Sequence, residues 1–304
     1  MDDEQLLRFE GCLVGLAVGD ALGMPAEGLS AAEVRQRFGL LREMVDAWLP
    51  AGSTTDDTAM ALCIAESLAE LGDFDPDDVA RRFLAWYRTH PPDIGTHTRH
   101  VLSLMDRGLD WREASALVER QNAPFTAGNG SLMRCAPLAL RYCHDPQRLI
   151  VASQESSRIT HAHPLAQAAC ALFNLLLSRL LLGWEREDAL AYALEGTGEA
   201  PPELRERAAS ARHKTAGQVA TSGYVLDTLE CALWAWWHYD DFEEALVAVV
   251  NLGGDADTNG AVAGALLGAR MGMPAIPQRW WARVSAASRC QGLARRLHEL
   301  AQRG

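Results

Sequence analysis

An all-α fold is what the amino-acid sequence predicts, and three observations carry that expectation. Apolar residues recur at helical spacing wherever a period is readable, alternating β-branched runs are almost absent, and Pro and Gly fall mostly between the periodic segments. In chain order the pattern predicts helices over 3–18, 56–71, 76–89, 97–106, 110–120, 146–158, 164–182, 186–194, 223–238, 241–250, 257–270 and 284–302. The glycines and Pro25 of the stretch Gly19 to Gly28 end the first helix and permit tight turns. The second helix opens on Gly52-Ser53-Thr54-Thr55-Asp56-Asp57-Thr58 and carries Met60, Ile64, Leu68 and Leu71 on its buried side. His161-Ala162-His163-Pro164 forms the entry to the helix over 164–182, and Gly196 to Pro202 reads as a loop. The helix over 257–270 is built of small residues and follows Gly253-Gly254-Asp255.

No Pro/Ser-rich linker, composition shift or fixed-period repeat divides the chain, so residues 1–304 are expected to form one domain. A chain of this length buries about 75% of its unfolded surface. With 48% hydrophobic and 22% charged residues the composition is that of a globular protein. The formal net charge of −12, without a Lys/Arg run, excludes general nucleic-acid binding. A pyrophosphate-bearing ligand would need local compensation from helix N-termini, a few Arg residues or bound cations. Seven scattered cysteines without a CxxC pair read as reduced thiols of a cytoplasmic protein. The acidic start Met-Asp-Asp-Glu is unlike a secretory signal. Leu172 to Leu182 is the most apolar stretch, interrupted by Asn174, Ser178 and Arg179 and too short to span a bilayer, so no membrane association is expected. A monomer is the default.

The conspicuous Gly/Asp/Thr/Asn clusters all fall where one helix ends or the next begins. One carboxylate is enough to cap a helix, whereas two adjacent Asp flanked by Thr at 54–58 offer more oxygen than a cap uses. Capping and hard-cation binding both stand as readings of that segment. Gly253-Gly254-Asp255-Ala256-Asp257-Thr258-Asn259-Gly260 repeats the chemistry far along the chain. It matches the first half of an EF-hand loop, but Leu266 stands at the twelfth position, where that loop needs a bidentate Glu, and the EF-hand reading fails. Two Asp/Thr clusters that converge would supply carboxylates and hydroxyls to a pair of hard cations. Glu27 is available as a further ligand or base. Gly128-Asn129-Gly130-Ser131 is either a plain turn or a phosphate and ribose cradle, and no strand precedes it as a Rossmann fingerprint requires. The His161/His163 pair lacks a nearby Cys, which makes zinc a poor fit.

Read in order, these segments resemble the ADP-ribosylglycohydrolase family, which includes the dinitrogenase-reductase-activating glycohydrolases. The resemblance is carried by GCLVGLAVGDALGMPAEG at 11–28, GSTTDDTAMAL at 52–62, DIG at 93–95, GNGSLMR at 128–134, THAHP at 160–164, GYVLDTLECALWA at 223–235 and NLGGDADTNGAVAGALLGA at 251–269. It implies an all-α fold with a cleft holding two Mg²⁺ or Mn²⁺ ions. It also implies Thr55, Asp56 and Asp57 as metal ligands from one side and Asp255, Asp257 and Thr258 from the other. On the same basis Glu27 and Asp93 are the catalytic carboxylates, acting with a metal-held water. Gly128, Asn129, Gly130 and Ser131 would face the diphosphate-ribose, His161 would lie beside the ligand, and Tyr224 would stack on adenine.

The implied reaction is release of ADP-ribose from an ADP-ribosylated protein or a small-molecule conjugate. The DIG segment favours arginine as the acceptor, with serine, a nucleobase or an acetyl group on ADP-ribose itself as alternatives. Two readings of other classes are a non-catalytic ADP-ribose binder or structural relative, and a metal-dependent phosphohydrolase acting on the pyrophosphate.

Overall fold

The computed structural model describes every residue except Met1, Pro124, Phe125, Glu199 and Gly304, together with the side chain of Asp2, which is left aside. The described residues form α1 (Asp2–Gly23), α2 (Ala31–Phe38), α3 (Asp56–Leu71), α4 (Pro76–Tyr87), α5 (Thr96–Asp106), α6 (Trp111–Asn122), α7 (Ala136–Tyr142) and α8 (Pro146–Arg158). The second half adds α9 (Pro164–Leu181), α10 (Arg186–Gly196), α11 (Pro202–Ser210), α12 (Val225–His238), α13 (Phe242–Val250), α14 (Ala256–Met271), α15 (Gln278–Trp281) and α16 (Ala287–Ala301). Among these residues there is no strand, only two isolated bridges, Ser30 with Gly253 and Gly128 with Tyr224.

Helix α1 runs through Gly19 to Gly23, past the stop that Gly19 predicts from sequence, and the cause is tertiary packing. Gly11, Gly15, Gly19 and Gly23 recur at every fourth position and so share one face. A Cβ on them would meet the carbonyl oxygens of Gly268, Gly264, Gly260 and Ala256 at 2.4, 2.3, 1.9 and 2.2 Å. The two helices therefore lie antiparallel with their backbones in contact. Glycine inside a helix costs about 1 kcal/mol relative to alanine, and here the close packing offsets that. The consequence is positional: the C-terminal end of α1, with Asp20, is pinned against the start of α14, with Asp257.

Helix α9 is the other interior element, with Leu165 to Leu181 buried almost throughout and α7, α8 and α10 packed against it. Its 18 residues agree with the helix expected over 164–182, and with a mean hydropathy of 1.4 it is, by length and composition alone, long and apolar enough to cross a membrane, which the Leu172–Leu182 stretch by itself is not. It is 89% buried within the protein, as a helix apolar all round must be. Two of its polar groups are bonded in place, Asn174 Nδ2 donating to Ser153 Oγ at 2.8 Å and Ser178 Oγ to Leu175 O at 2.7 Å, while Asn174 Oδ1 is buried without a partner among the described residues.

Four short helices, α2, α7, α11 and α15, were not predicted. Helix α7 buries every residue but Arg141, which erases its period, whereas α2 carries a readable Ser30/Glu33 capping box. The helix expected over 284–302 is α16, Ala287–Ala301. All seven cysteines are free thiols, six of them buried.

Candidate active site

Two backbone latches bring the acidic and glycine-rich segments together. Gly28 N donates to Gly254 O at 2.8 Å and Gly254 N to Leu29 O at 2.7 Å, which seats Glu27 beside the start of α14. Asn129 N donates to Gly223 O at 3.0 Å and Val225 N to Ala127 O at 2.9 Å, tying the 128–130 loop to the entry of α12. A third tie runs from Gly95 N to Asp56 Oδ2 at 3.1 Å and holds the 93–95 segment against the start of α3.

The start of α3 is organised from beneath by Asp20, a fully buried residue that sequence reasoning passed over. Its carboxylate accepts from the backbone N–H of Thr55 at 3.0 Å and of Thr58 at 3.1 Å, and from the Thr58 hydroxyl. Thr55 caps α3 and its hydroxyl donates to Asp57 Oδ2 at 2.9 Å. Thr258, from the start of α14, reaches the same Asp57 oxygen at 3.5 Å. The two Asp/Thr segments, some two hundred residues apart in sequence, thus meet side by side. Asp57 Oδ1 is buried with no hydrogen-bond partner among the described residues.

A cleft of about 250 Å³ lies over this floor. Of the predicted residues it is lined by Glu27, Asp56, Asp93, Gly128, Asn129, Gly130, His161, Asp255, Asp257 and Thr258. One carboxylate oxygen each from Glu27, Asp93 and Asp257 lies within 4.8 Å of the others, a grouping able to hold a metal ion. The electrostatics agree. Burial, then the charges of Asp93, Asp255 and Asp20, push the Glu27 carboxyl up to about 7. Burial lifts Asp20 to about 6 against the hydrogen bonds from Thr58 and Thr55. Asp57 and Asp257 are held well above the ordinary range, first by burial and then by their neighbouring carboxylates. For Asp56, burial acts first and Asp93 second. Among the described residues no Lys or Arg pairs with these groups, so cations are the charge that would relieve the repulsion.

The opposite wall is the 128–130 loop backed by histidines. His161 is buried, and a Cβ on Gly130 would lie 2.7 Å from its Cε1, so glycine is needed for the ring to pack there. His161 stacks on His97 with centroids 4.5 Å apart; His97 also lines the cleft and was not singled out from sequence. Burial lowers the pKa of both rings.

Two expectations are corrected. Ser131 does not face the cleft; it is buried and accepts from Ser157 Oγ at 2.9 Å, because the turn after Gly130 carries it inward towards α8 and α9. Tyr224 pairs its backbone with Gly128, but its half-exposed ring lines a separate pocket with Glu203, Glu206 and Arg207 rather than the cleft. Thr55 and Asp57 lie under the cleft floor, held as described above, and Asn129 donates to Asp255 Oδ2 at 2.7 Å and so braces the second acidic segment.

The fold and this site define a class: an all-helical hydrolase whose acidic helix starts converge on one cleft. Comparison with known proteins narrows it. The family model described as ADP-ribosylglycohydrolase matches residues 1–304, and the chain belongs to that family. It is 34% identical over 310 residues to the ADP-ribosylarginine hydrolase Tri1 of Pseudomonas putida (strain GB-1), covering 98% of this chain and 80% of that protein. It is 34% identical over 284 residues to the ADP-ribosyl-(dinitrogen reductase) glycohydrolase of Rhodospirillum rubrum, covering 91% of this chain and 90% of that protein. The ADP-ribosylhydrolase ARH3 of Gallus gallus is 27% identical over 345 residues, covering 96% of this chain and 93% of that protein. A solved structure titled "ADP-ribosylglycohydrolase-related protein complex" superposes with a TM-score of 0.85 at 38% identity, covering 98% of this chain and 99% of that one.

Proposed function

We propose that this protein hydrolyses the glycosidic bond between ADP-ribose and a modified arginine, releasing ADP-ribose, with two Mg²⁺ or Mn²⁺ ions in the acidic cleft. The observation that carries the reading is the convergence of Glu27, Asp56, Asp57, Asp93, Asp255 and Asp257 at one place, with a buried Asp57 oxygen left without a partner among the described residues. The two relatives at 34% identity, one named for ADP-ribosylarginine and one for ADP-ribosylated dinitrogen reductase, support the substrate class.

Thr55, Asp56 and Asp57 would hold the cations from the α3 side and Asp255, Asp257 and Thr258 from the α14 side. Bound there, divalent cations supply Lewis-acid charge that orients sugar hydroxyls and acidifies water. Glu27, pushed up to about 7 in the metal-free cleft, is the carboxylate placed to exchange a proton with the attacking water or the leaving nitrogen. Asp93 is the charge that, after burial, does most to raise Glu27. Asp93 also stands within 4.8 Å of the Glu27 and Asp257 oxygens, but the ligand set above does not require it, so replacing Asp93 by Asn should move the Glu27 limb of the pH–rate profile to lower pH and slow turnover while sparing metal binding. A limb that stays in place, or loss of the metal, would show that Asp93 acts otherwise. Gly128, Asn129, Gly130 and His161 would receive the diphosphate-ribose. We place the protein as a cytoplasmic monomer without membrane or nucleic-acid partners, in keeping with its free thiols and acidic charge.

The test is to incubate ADP-ribosyl-arginine and ADP-ribosyl-serine peptides with the protein and Mg²⁺, Mn²⁺ or EDTA, following products by mass spectrometry. Metal-dependent release of ADP-ribose from the arginine peptide is expected. AMP with phosphoribosyl-peptide would make it a phosphohydrolase, and ligand binding without release would make it a reader.

A further inference from the structure

Behind the cleft lies Arg134, fully buried and, among the described residues, without a carboxylate partner. Its guanidinium lies 4.4 Å over the Phe83 ring and touches Met60 Sδ at 3.6 Å. Its best hydrogen bond is from Nη2 to Thr160 Oγ1, at 2.7 Å. A guanidinium only donates, so the Thr160 oxygen is an acceptor there and its own proton remains to be placed. Thr160 is itself fully buried, and its hydroxyl stands 2.8 Å from His161 Nδ1. Were Nδ1 protonated, two donors would point at the Thr160 oxygen and the hydroxyl proton would lack an acceptor among the described residues, a costly arrangement in a buried place. The chain of bonds is consistent in one direction only: Arg134 to Thr160 to His161 Nδ1.

We propose that Thr160, oriented by the buried Arg134, fixes His161 as the Nε2–H tautomer and so makes it a hydrogen-bond donor towards the glycine-loop side of the cleft. Both are positioning residues. The direction of Nε2 follows from the ring's contacts: a Cβ on Gly128 or Gly130 would lie 3.4 or 3.1 Å from it. The same Thr160 orients the stacked partner, because His97 Nε2 lies 2.9 Å from the Thr160 carbonyl, which only accepts. His97 thereby keeps Nδ1 as an acceptor. One buried residue thus gives the two stacked rings opposite hydrogen-bonding character, a donor from His161 and an acceptor from His97. A phosphate or hydroxyl oxygen of the ligand suits the His161 donor. Burial keeps both imidazoles neutral, which a close ring stack favours.

The consequence for substrate binding rests on the glycohydrolase reading; the tautomer does not. Long-range ¹H–¹⁵N spectra of the ligand-free protein, with His161 assigned by comparison with His161→Gln, should show Nδ1 unprotonated and Nε2 protonated. The reverse assignment overturns the proposal. In Thr160→Val the Nε2–H form should fall to about one tenth, and KM for an ADP-ribosyl-arginine peptide should rise in inverse proportion, about tenfold, with a smaller change in kcat. Thr160→Ser should restore both. A Thr160→Val protein with unchanged tautomer and KM would also overturn it. Because the wild-type spectrum decides the tautomer by itself, a variant that fails to fold leaves that test intact, and an inactive wild type would refute the glycohydrolase reading alone.

Discussion

Asp57 shows most directly what a single residue does in the cleft. It is fully buried, one of its oxygens has no partner among the described residues, and its carboxyl is lifted by burial and then by Asp20, Asp56 and Asp255. Without a cation this arrangement is destabilising, since like charges are confined in a place of low dielectric. Asp57→Asn should therefore raise the melting temperature of metal-free protein at pH 8 and abolish both the added stability from Mg²⁺ and metal-dependent turnover. A variant less stable than wild type in EDTA, yet still stabilised by Mg²⁺, would mean that Asp57 is a structural cap and the metal lies elsewhere. Most of the acidic residues were legible in the sequence because they start helices, where Asp and Thr cluster visibly. Asp20 and His97 were not: Asp20 falls in the Gly19–Gly28 stretch that reads as a helix end, His97 at the start of the 97–106 helix whose pattern accounts for it, and only the fold shows that each side chain reaches another segment.

At the scale of elements, the contact between α1 and α14 sets the distance between the two halves of the site. Gly19→Ala places a Cβ 1.9 Å from Gly260 O, backbone against backbone, where neither side can yield cheaply. A cost of roughly 3 kcal/mol in urea unfolding is expected, with weaker Mg²⁺ stabilisation because Asp20 and the start of α14 move apart. Gly28→Ala is the control. It has open space around it but φ of +74°, so it should cost about 1 kcal/mol from backbone strain alone. Equal losses at the two positions would rule out the close helix contact. The fourfold spacing of Gly11, Gly15, Gly19 and Gly23, matched by Gly260, Gly264 and Gly268, was present in the sequence. It went unread because glycine's low helix propensity made Gly19 a stop, and only a partner helix reverses that meaning. The reverse holds for α7, whose surroundings bury nearly every residue and leave no polar face to mark a period.

For the whole molecule, the raised carboxyls link stability to pH and metal. Glu27 moves from 4.5 when unfolded to about 7 in the fold, and Asp56, Asp57 and Asp257 lie well above their ordinary 3.8. Between those limits the metal-free native state holds more protons than the unfolded chain, so stability must fall as pH rises. The surface carboxylates paired with Arg, such as Asp77, Asp240 and Glu243, have lowered values and contribute fully throughout this range. His97 and His161, lowered from 6.5, act in the opposite sense, adding stability as pH rises up to that value. Above pH 6.5 the acidic cleft is therefore the dominant titrating feature. In EDTA the melting temperature should drop from pH 6.5 to pH 8. With Mg²⁺ the drop should vanish, because the cation binds the deprotonated site and stabilises the native state by mass action. Calorimetry in two buffers of different ionisation heat should then record proton release on Mg²⁺ binding, more of it at pH 6.5 than at pH 8. Sodium chloride at equal ionic strength separates this from screening of the net charge of −12. A metal-free protein whose melting temperature is flat across that window would mean that the cleft carboxylates carry ordinary charge, and the case for a cation site would lose its electrostatic basis.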